Sequence, residues 1–261
     1  ELSWPETVTD HLRYFTNSGG AMPTATLAKL RAAWPRTKPY LMYGLTEAFR
    51  ATYLPPDEVD RRPESMGKAI PNTEVMVVRP DGTPCDPEEP GELVQRGSLV
   101  ALGYWNDPAK TAERFKPVPG QRTELPLTEM AVWSGDTVKK DKDGFLYFIG
   151  RKDEMIKTSG YRVSPTEVEE VIYASDQVGE CAAFGVSHPQ LGQAIVVVAS
   201  AKAGAEIDST AILASCKKQL PSFMVPHHIE LRSGSLPRNP NGKIDRKLLA
   251  GELAHIFGKP E

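Results

Sequence analysis

The sequence predicts a multidomain protein of mixed α/β and α+β class, and three observations carry that prediction. A strand, a small-residue turn and a helix follow one another over residues 14–34. Alternation of period two dominates from Met66 to Gly150, and beyond Ser164 helical stretches and apolar strands alternate again. The expected divisions are 1–65, the end of a βα subdomain; 66–150, a small antiparallel β-barrel; and 151–261, a small α+β domain with a three-stranded sheet flanked by helices.

Composition narrows the class without naming a function. With 261 residues, 40% apolar and 25% charged, the chain has the balance of a globular protein able to bury a core. A net charge of -3 and the lack of a long basic run argue against a nucleic-acid surface. Cys85, Cys181 and Cys216 are far apart and match no metal spacing, so they read as reduced, mostly buried thiols. No apolar run approaches the roughly 20 residues of a membrane span and no signal peptide opens the chain, so the expected location is cytoplasmic.

In chain order, Tyr14–Asn17 has strand character and enters Ser18-Gly19-Gly20-Ala21-Met22-Pro23, after which a helix is expected from Thr24 to Trp34. Such a turn lets a flat ring or a phosphate approach the backbone, and many turns of this kind serve no ligand at all. Lys38–Tyr43 reads as a strand ending in Gly44-Leu45-Thr46-Glu47. Glu74–Val78 alternates into the turn Pro80-Asp81-Gly82 and returns as Gly91–Gly97, a hairpin. Gly103, Tyr104 and Trp105 then read as a turn glycine with aromatics that fill the barrel. Asp107 caps a short helix from Pro108, residues 116–129 form an exposed loop, and Val132–Asp136 and Phe145–Ile149 are strands about a Lys-Asp-Lys-Asp-Gly turn.

Past Gly150 the chain reads Arg151-Lys152-Asp153-Glu154-Met155-Ile156-Lys157-Thr158-Ser159-Gly160-Tyr161-Arg162-Val163-Ser164-Pro165, a cationic connector. By its charges alone it reads first as a solvated loop, with a site as the alternative. It closes on a helix start, with Ser164 as N-cap, Pro165 at the first helical position and Glu167 completing a capping box. The helix to Ala174 precedes strands Glu180–Val186 and Ala194–Ala201, a helix Ser209–Leu220 capped by Asp208, and a strand His228–Leu231. His188, His227 and His228 have no ligand-spaced partner and read as structural. Leu236–Arg246, with its prolines, asparagines and Gly242, is an irregular loop that exposes Lys243, with a helix beginning near Asp245.

Four motifs in one order carry a resemblance. Tyr43-Gly-Leu-Thr-Glu47, Ser134-Gly-Asp136, Gly150-Arg-Lys-Asp153 and Pro237…Gly242-Lys243 resemble those of the AMP-forming adenylating enzymes, the superfamily of acyl-CoA synthetases, adenylation domains and luciferases. The stretch Ile156–Pro165 is more similar to the acyl-CoA ligases than to peptide-synthetase adenylation domains. Ser134 departs from the family's threonine but keeps the hydroxyl. Relatives carry several hundred residues before this point, including a phosphate loop. The chain, which opens on Glu1, therefore reads as a C-terminal portion expected to be inactive alone.

The resemblance implies an acyl-CoA ligase that joins a carboxylic acid, an acyl chain, to CoA at the expense of ATP, giving AMP and pyrophosphate. A carrier-protein thiol is the alternative acceptor, and a catalytically silent nucleotide-binding or partner-binding module is the alternative of another class. It makes residues 1–65 part of a nucleotide-binding subdomain and 151–261 a mobile domain hinged near Asp153. It places Ser18, Gly19, Gly20, Ala21, Tyr43 and Gly44 at the adenine, Thr46 at phosphate, Glu47 on Mg²⁺ and Asp136 and Arg151 at the ribose. Lys243 would bridge the carboxylate and α-phosphate, and Gly160, Tyr161 and Arg162 would form the face used in the thiol step. Retention of Glu47, Asp136, Arg151 and Lys243 together argues against the silent module.

Overall fold

The computed structural model describes residues 8–20, 22–121, 128–175 and 177–258. The chain divides into two units, residues 3–152 and Asp153–Glu261, each with its own sheet and its own core.

The first unit opens with a short helix α1 (Val8–His11), strand β1 (Tyr14–Asn17), helix α2 (Thr24–Ala33) and strands β2 (Lys38–Leu45), β3 (Phe49–Leu54) and β4 (Ser65–Ala69). It continues with β5 (Thr73–Val78), β6 (Gly91–Gly97), α3 (Pro108–Arg114), β7 (Phe115–Pro117), β8 (Met130–Lys140) and β9 (Leu146–Arg151). The strands form one nine-stranded sheet in the order β1-β2-β3-β4-β9-β8-β6-β5, with β7 on β8. Among the described residues of this unit, only β1 and β2 run parallel, because α2 carries the chain back between them.

The strands before and after residue 65 share one sheet. Strand β4 pairs with β3 at Thr52–Ala69 and with β9 at Ser65–Tyr147, so it belongs to both halves. Gly67 makes this possible: at φ +85° it lies so close to β3 that a Cβ would sit 1.8 Å from the Tyr53 carbonyl oxygen. Among the described residues β5 is paired with β6 and with no other strand.

The second unit holds β10 (Ile156–Thr158), β11 (Tyr161–Val163), α4 (Pro165–Tyr173), β12 (Val178–His188), β13 (Gly192–Ala201), α5 (Ser209–Gln219), β14 (His228–Arg232) and α6 (Arg246–Glu252). Its sheet has five strands rather than three, in the order β11-β10-β13-β12 with β14 parallel to β13. The two extra strands come from the cationic stretch. Ser159 (φ 49°) and Gly160 (φ 83°) both take the left-handed region, the geometry of a two-residue hairpin turn, and Lys157 pairs with Arg162 across it.

Alternation along β12 and β13 explains why both strands are continuously apolar. Cys181, Ala183, Ile195, Val197 and Ala199 pack with Val168 and Ile172 of α4 and Ile212 and Cys216 of α5. Ala182, Phe184, Val186, Val196 and Val198 pack on the other face against Leu249 of α6 and Leu253 just beyond it. The sheet is buried on both sides, each fully buried Val or Ile contributing roughly 1.5–3 kcal/mol. The capping box at α4 does not form. The Ser164 side chain makes no capping bond, and its hydroxyl lies 2.7 Å from that of Thr166.

Candidate active site

Parallel pairing aligns the carboxyl ends of β1 and β2, with Asn17 opposite Leu41. The segments Ser18–Gly20 and Tyr43–Glu47 leave from that end, the edge at which α/β sheets collect ligands. Ser18, Gly19 and Gly20 are exposed, Gly19 at φ +91°, and the Arg50 guanidinium donates to the Ser18 hydroxyl. Ala21 lies outside the described residues. Gly44 is held where β2 shifts register against β3, and a Cβ there would meet the Phe49 carbonyl oxygen at 2.1 Å. Only glycine allows the turn that presents Thr46, exposed, and Glu47, half-buried.

Tyr43 leads to the most buried polar group of the site. Its hydroxyl donates to Asp136 Oδ2 at 2.6 Å, and Arg151 Nη1 lies 3.3 Å from Asp136 Oδ1. Asp136 is 4% exposed, on β8 opposite Arg151 of β9. Burial, then the Asp136 charge and hydrogen bond, push the Tyr43 hydroxyl far above its usual range, which keeps it a neutral donor. A carboxylate has about four acceptor positions, so Asp136 held this way retains capacity for a ligand hydroxyl.

The local backbone aims Asp136. Gly135 sits at φ +71°, its amide donating to Glu92 Oε1 at 3.0 Å and its carbonyl accepting from Lys152 at 2.8 Å. The Ser134 hydroxyl donates to the Leu93 carbonyl at 2.7 Å and accepts from the Asp136 amide at 3.0 Å. Ser134 thus spends its hydroxyl on the turn itself. Arg114 donates to the carbonyls of Trp133 and Ser134 from α3. Arg50, Glu92 and Arg114 were not legible as parts of the site, because their partners lie 32, 43 and 20 residues away in sequence.

Tyr104 does more than the packing read for it: its ring meets Phe115 edge-on at 5.8 Å in a core cluster, and its hydroxyl donates to Glu47 Oε1. Trp105, read the same way, is 98% exposed.

The remaining expected residues belong to the second unit, apart from the boundary residue Arg151 already placed. Asp153 lies in the turn that opens it, Gly160 at the β10–β11 tip, and Tyr161 and Arg162 are exposed on β11. The Tyr161 ring stacks on Phe223 at 4.0 Å with 12° between planes. Lys243 is exposed on a tight turn in which Asn239 Oδ1 accepts from the amides of Asn241 and Lys243 at 3.0 and 3.1 Å. Glu180 anchors that turn to β12, accepting from the Leu236 amide at 2.7 Å and from Arg238. The Arg246 guanidinium clamps Glu169 and reaches Glu154 at 3.3 Å. His188 and His227 pack 6.3 Å apart, and burial, then the neighbouring His188, hold His227 below its usual range. Cys181 and Cys216 are buried and Cys85 is half-buried. Among the described residues no helix is long and apolar enough to cross a membrane.

The model of the AMP-binding enzyme family matches residues 4–105, and that of the AMP-binding enzyme C-terminal domain matches residues 167–243. A long-chain-fatty-acid–CoA ligase of Salmonella typhimurium is 34% identical over 239 residues, 90% of this chain and 40% of the relative. An L-proline–[L-prolyl-carrier protein] ligase of Pseudomonas fluorescens is 32% identical over 94% of this chain and 46% of its own length. The crystal structure of ATP-bound MatB from Rhodopseudomonas palustris superposes with a TM-score of 0.83 at 28% identity, covering 97% of this chain and 48% of that one. The chain thus spans less than half the length of these relatives. The two family models, matched in order, together cover more than half of the chain, which belongs to the AMP-forming adenylating enzymes.

Proposed function

We propose that the protein carrying this chain is an ATP-dependent, AMP-forming acyl-CoA ligase. The observation that carries this reading is the buried Asp136 carboxylate held between the Tyr43 hydroxyl and Arg151 at the ligand edge of the sheet. Two acceptor oxygens suit the vicinal hydroxyls of a ribose, and the Tyr43 ring offers an apolar face beside them. Ser18, Gly19 and Gly20 would border the adenine, with Thr46 directing a hydroxyl to phosphate.

In the first half-reaction a carboxylate oxygen bonds to the α-phosphorus while the bond to the bridging oxygen breaks, releasing pyrophosphate. Lys243 on its anchored turn would supply positive charge to the carboxylate and α-phosphate as charge builds there. In the second, the thiol sulfur bonds to the acyl carbon, the acyl–oxygen bond breaks, and AMP leaves as the thiol gives up its proton. The turn at Lys152–Glu154 would serve as the pivot that exchanges Lys243 for the Gly160, Tyr161 and Arg162 face between the two. Glu47 would hold Mg²⁺, since a half-buried carboxylate is a hard oxygen donor of the kind that ion takes together with phosphate oxygens. When bound, the ion supplies charge neutralisation along the phosphates.

A carrier-protein thiol in place of CoA is the second reading, favoured by the similarity to a prolyl-carrier ligase. Acid substrates in the acyl series follow from the similarity to long-chain-fatty-acid–CoA ligases. AMP binding tests the nucleotide reading. Asp136→Ala is expected to weaken AMP by about tenfold or more, the worth of hydrogen bonds to a charged group, with Asp136→Asn in between. Unchanged AMP affinity in both variants overturns it.

A further inference from the structure

We infer that Tyr104 is a positioning residue for the Glu47 carboxylate, fixing the oxygen that faces the metal–nucleotide complex. The inference rests on the reading of Glu47 as the Mg²⁺ ligand.

Two bonds clamp Glu47 from one loop. Its carbonyl accepts from the Ala101 amide at 2.8 Å, and its Oε1 accepts from the Tyr104 hydroxyl. Main chain and carboxylate are therefore held by residues three apart, so the side chain cannot swing without breaking with a loop that already fixes its backbone.

That loop is itself held. The Tyr104 amide donates to Thr111 Oγ1 at 2.9 Å, and that hydroxyl donates to the Asp107 carbonyl at 2.8 Å. Gly103, at φ +146°, packs so close to Thr111 that a Cβ would lie 2.6 Å from its methyl group. The Tyr104 ring rests edge-on against Phe115, which is 5% exposed. The phenol is placed by α3 and the core, not by Glu47, so it acts as a fixed donor toward the carboxylate. With Oε1 engaged by Tyr104, Oε2 would be the oxygen offered to the metal–nucleotide complex. Partners that orient a ligating carboxylate in this way are typically worth about 10- to 100-fold in metal affinity.

The test titrates Mg²⁺ against binding of α,β-methylene-ATP, which resists turnover, to the protein carrying this chain. Tyr104→Phe keeps the ring on Phe115 and removes only the donor. It is expected to raise the Mg²⁺ concentration for half-maximal binding about tenfold, while metal-free AMP binding and the thermal midpoint stay at the wild-type values. Glu47→Gln, run alongside, is expected to shift the Mg²⁺ requirement at least as far. If Glu47→Gln shifts it and Tyr104→Phe does not, or tightens it, the positioning role is overturned and the reading of Glu47 stands. If neither shifts it, the metal reading of Glu47 fails and the inference falls with it. Equal loss of AMP and analogue binding in Tyr104→Phe also overturns it, because that pattern marks general damage to the site.

Discussion

Arg246 Nη2 lies 2.8 and 2.9 Å from the two carboxylate oxygens of Glu169, closing a two-point clamp between α6 and α4. Glu169 is 7% exposed, and its Oε1 also accepts from the Ala183 amide of β12 at 2.7 Å. Burial pushes the Glu169 carboxyl above the usual range, and the Arg246 charge opposes that. The helix that follows the Lys243 turn is thereby tied to the first helix of its unit.

Removing the guanidinium leaves a buried carboxylate without its cation. Arg246→Ala is expected to destabilise the second unit by about 3–5 kcal/mol. Lys247→Ala, next to it and exposed, should stay within about 0.5 kcal/mol. Denaturant unfolding of both variants decides it, and equal stability contradicts the clamp.

The contrast between Lys243 and Arg246 shows what could be read in the sequence. The Lys243 turn is written locally, in prolines, asparagines and a glycine that permit little else, and so were the β5–β6 hairpin and the Asp107, Asp208 and Asp245 helix starts. The Arg246 clamp joins residues 77 apart, and a basic residue on a helix face carries no mark of its partner. The β10–β11 hairpin was legible, since Ser-Gly between Ile-Lys-Thr and Tyr-Arg-Val is a two-residue turn signal, but its charges drew the reading toward a loop. Strand β4 was not legible: its bridging of both halves of the sheet depends on Gly67 meeting Tyr53, a contact no periodicity reports. The motif residues were picked out through resemblance, whereas Tyr104, Arg50 and Arg114 became visible only through their partners.

Asp141 makes one acid transition specific. Burial would raise its carboxyl, but the Phe145 amide at 2.8 Å, Arg62, the Tyr147 hydroxyl at 3.2 Å and the Asp143 amide at 3.0 Å hold it below the usual carboxylate range. A depressed folded value means stability that is complete above the ordinary aspartate value of about 3.9 and lost as pH falls through the folded one. Asp141→Asn should therefore be less stable than wild type at neutral pH, with the gap closing below about pH 4. A gap independent of pH would contradict this.

Gly135 sets the aim of Asp136 by a left-handed backbone and by leaving room for Arg114, whose Nη1 would lie 2.3 Å from an added Cβ. Gly135→Ala should cost about 1–2 kcal/mol from backbone strain alone. AMP affinity should fall with it. Because Arg114 is the movable partner, adding Arg114→Ala should relieve the steric part of the loss and leave the backbone part. Full restoration by the second change would contradict the strain assigned here.

The central claim is a two-step ligation in which Lys243 serves only the first step, and half-reaction kinetics test it most directly. In the protein carrying this chain, acid-dependent pyrophosphate release and thioester formation from pre-made acyl-AMP and CoA are measured separately. Lys243→Ala is expected to slow the first by about 10²- to 10³-fold, the usual loss of a charge-stabilising contact in a transition state, and to leave the second near wild type. Equal slowing of both steps, or of neither, would contradict the account.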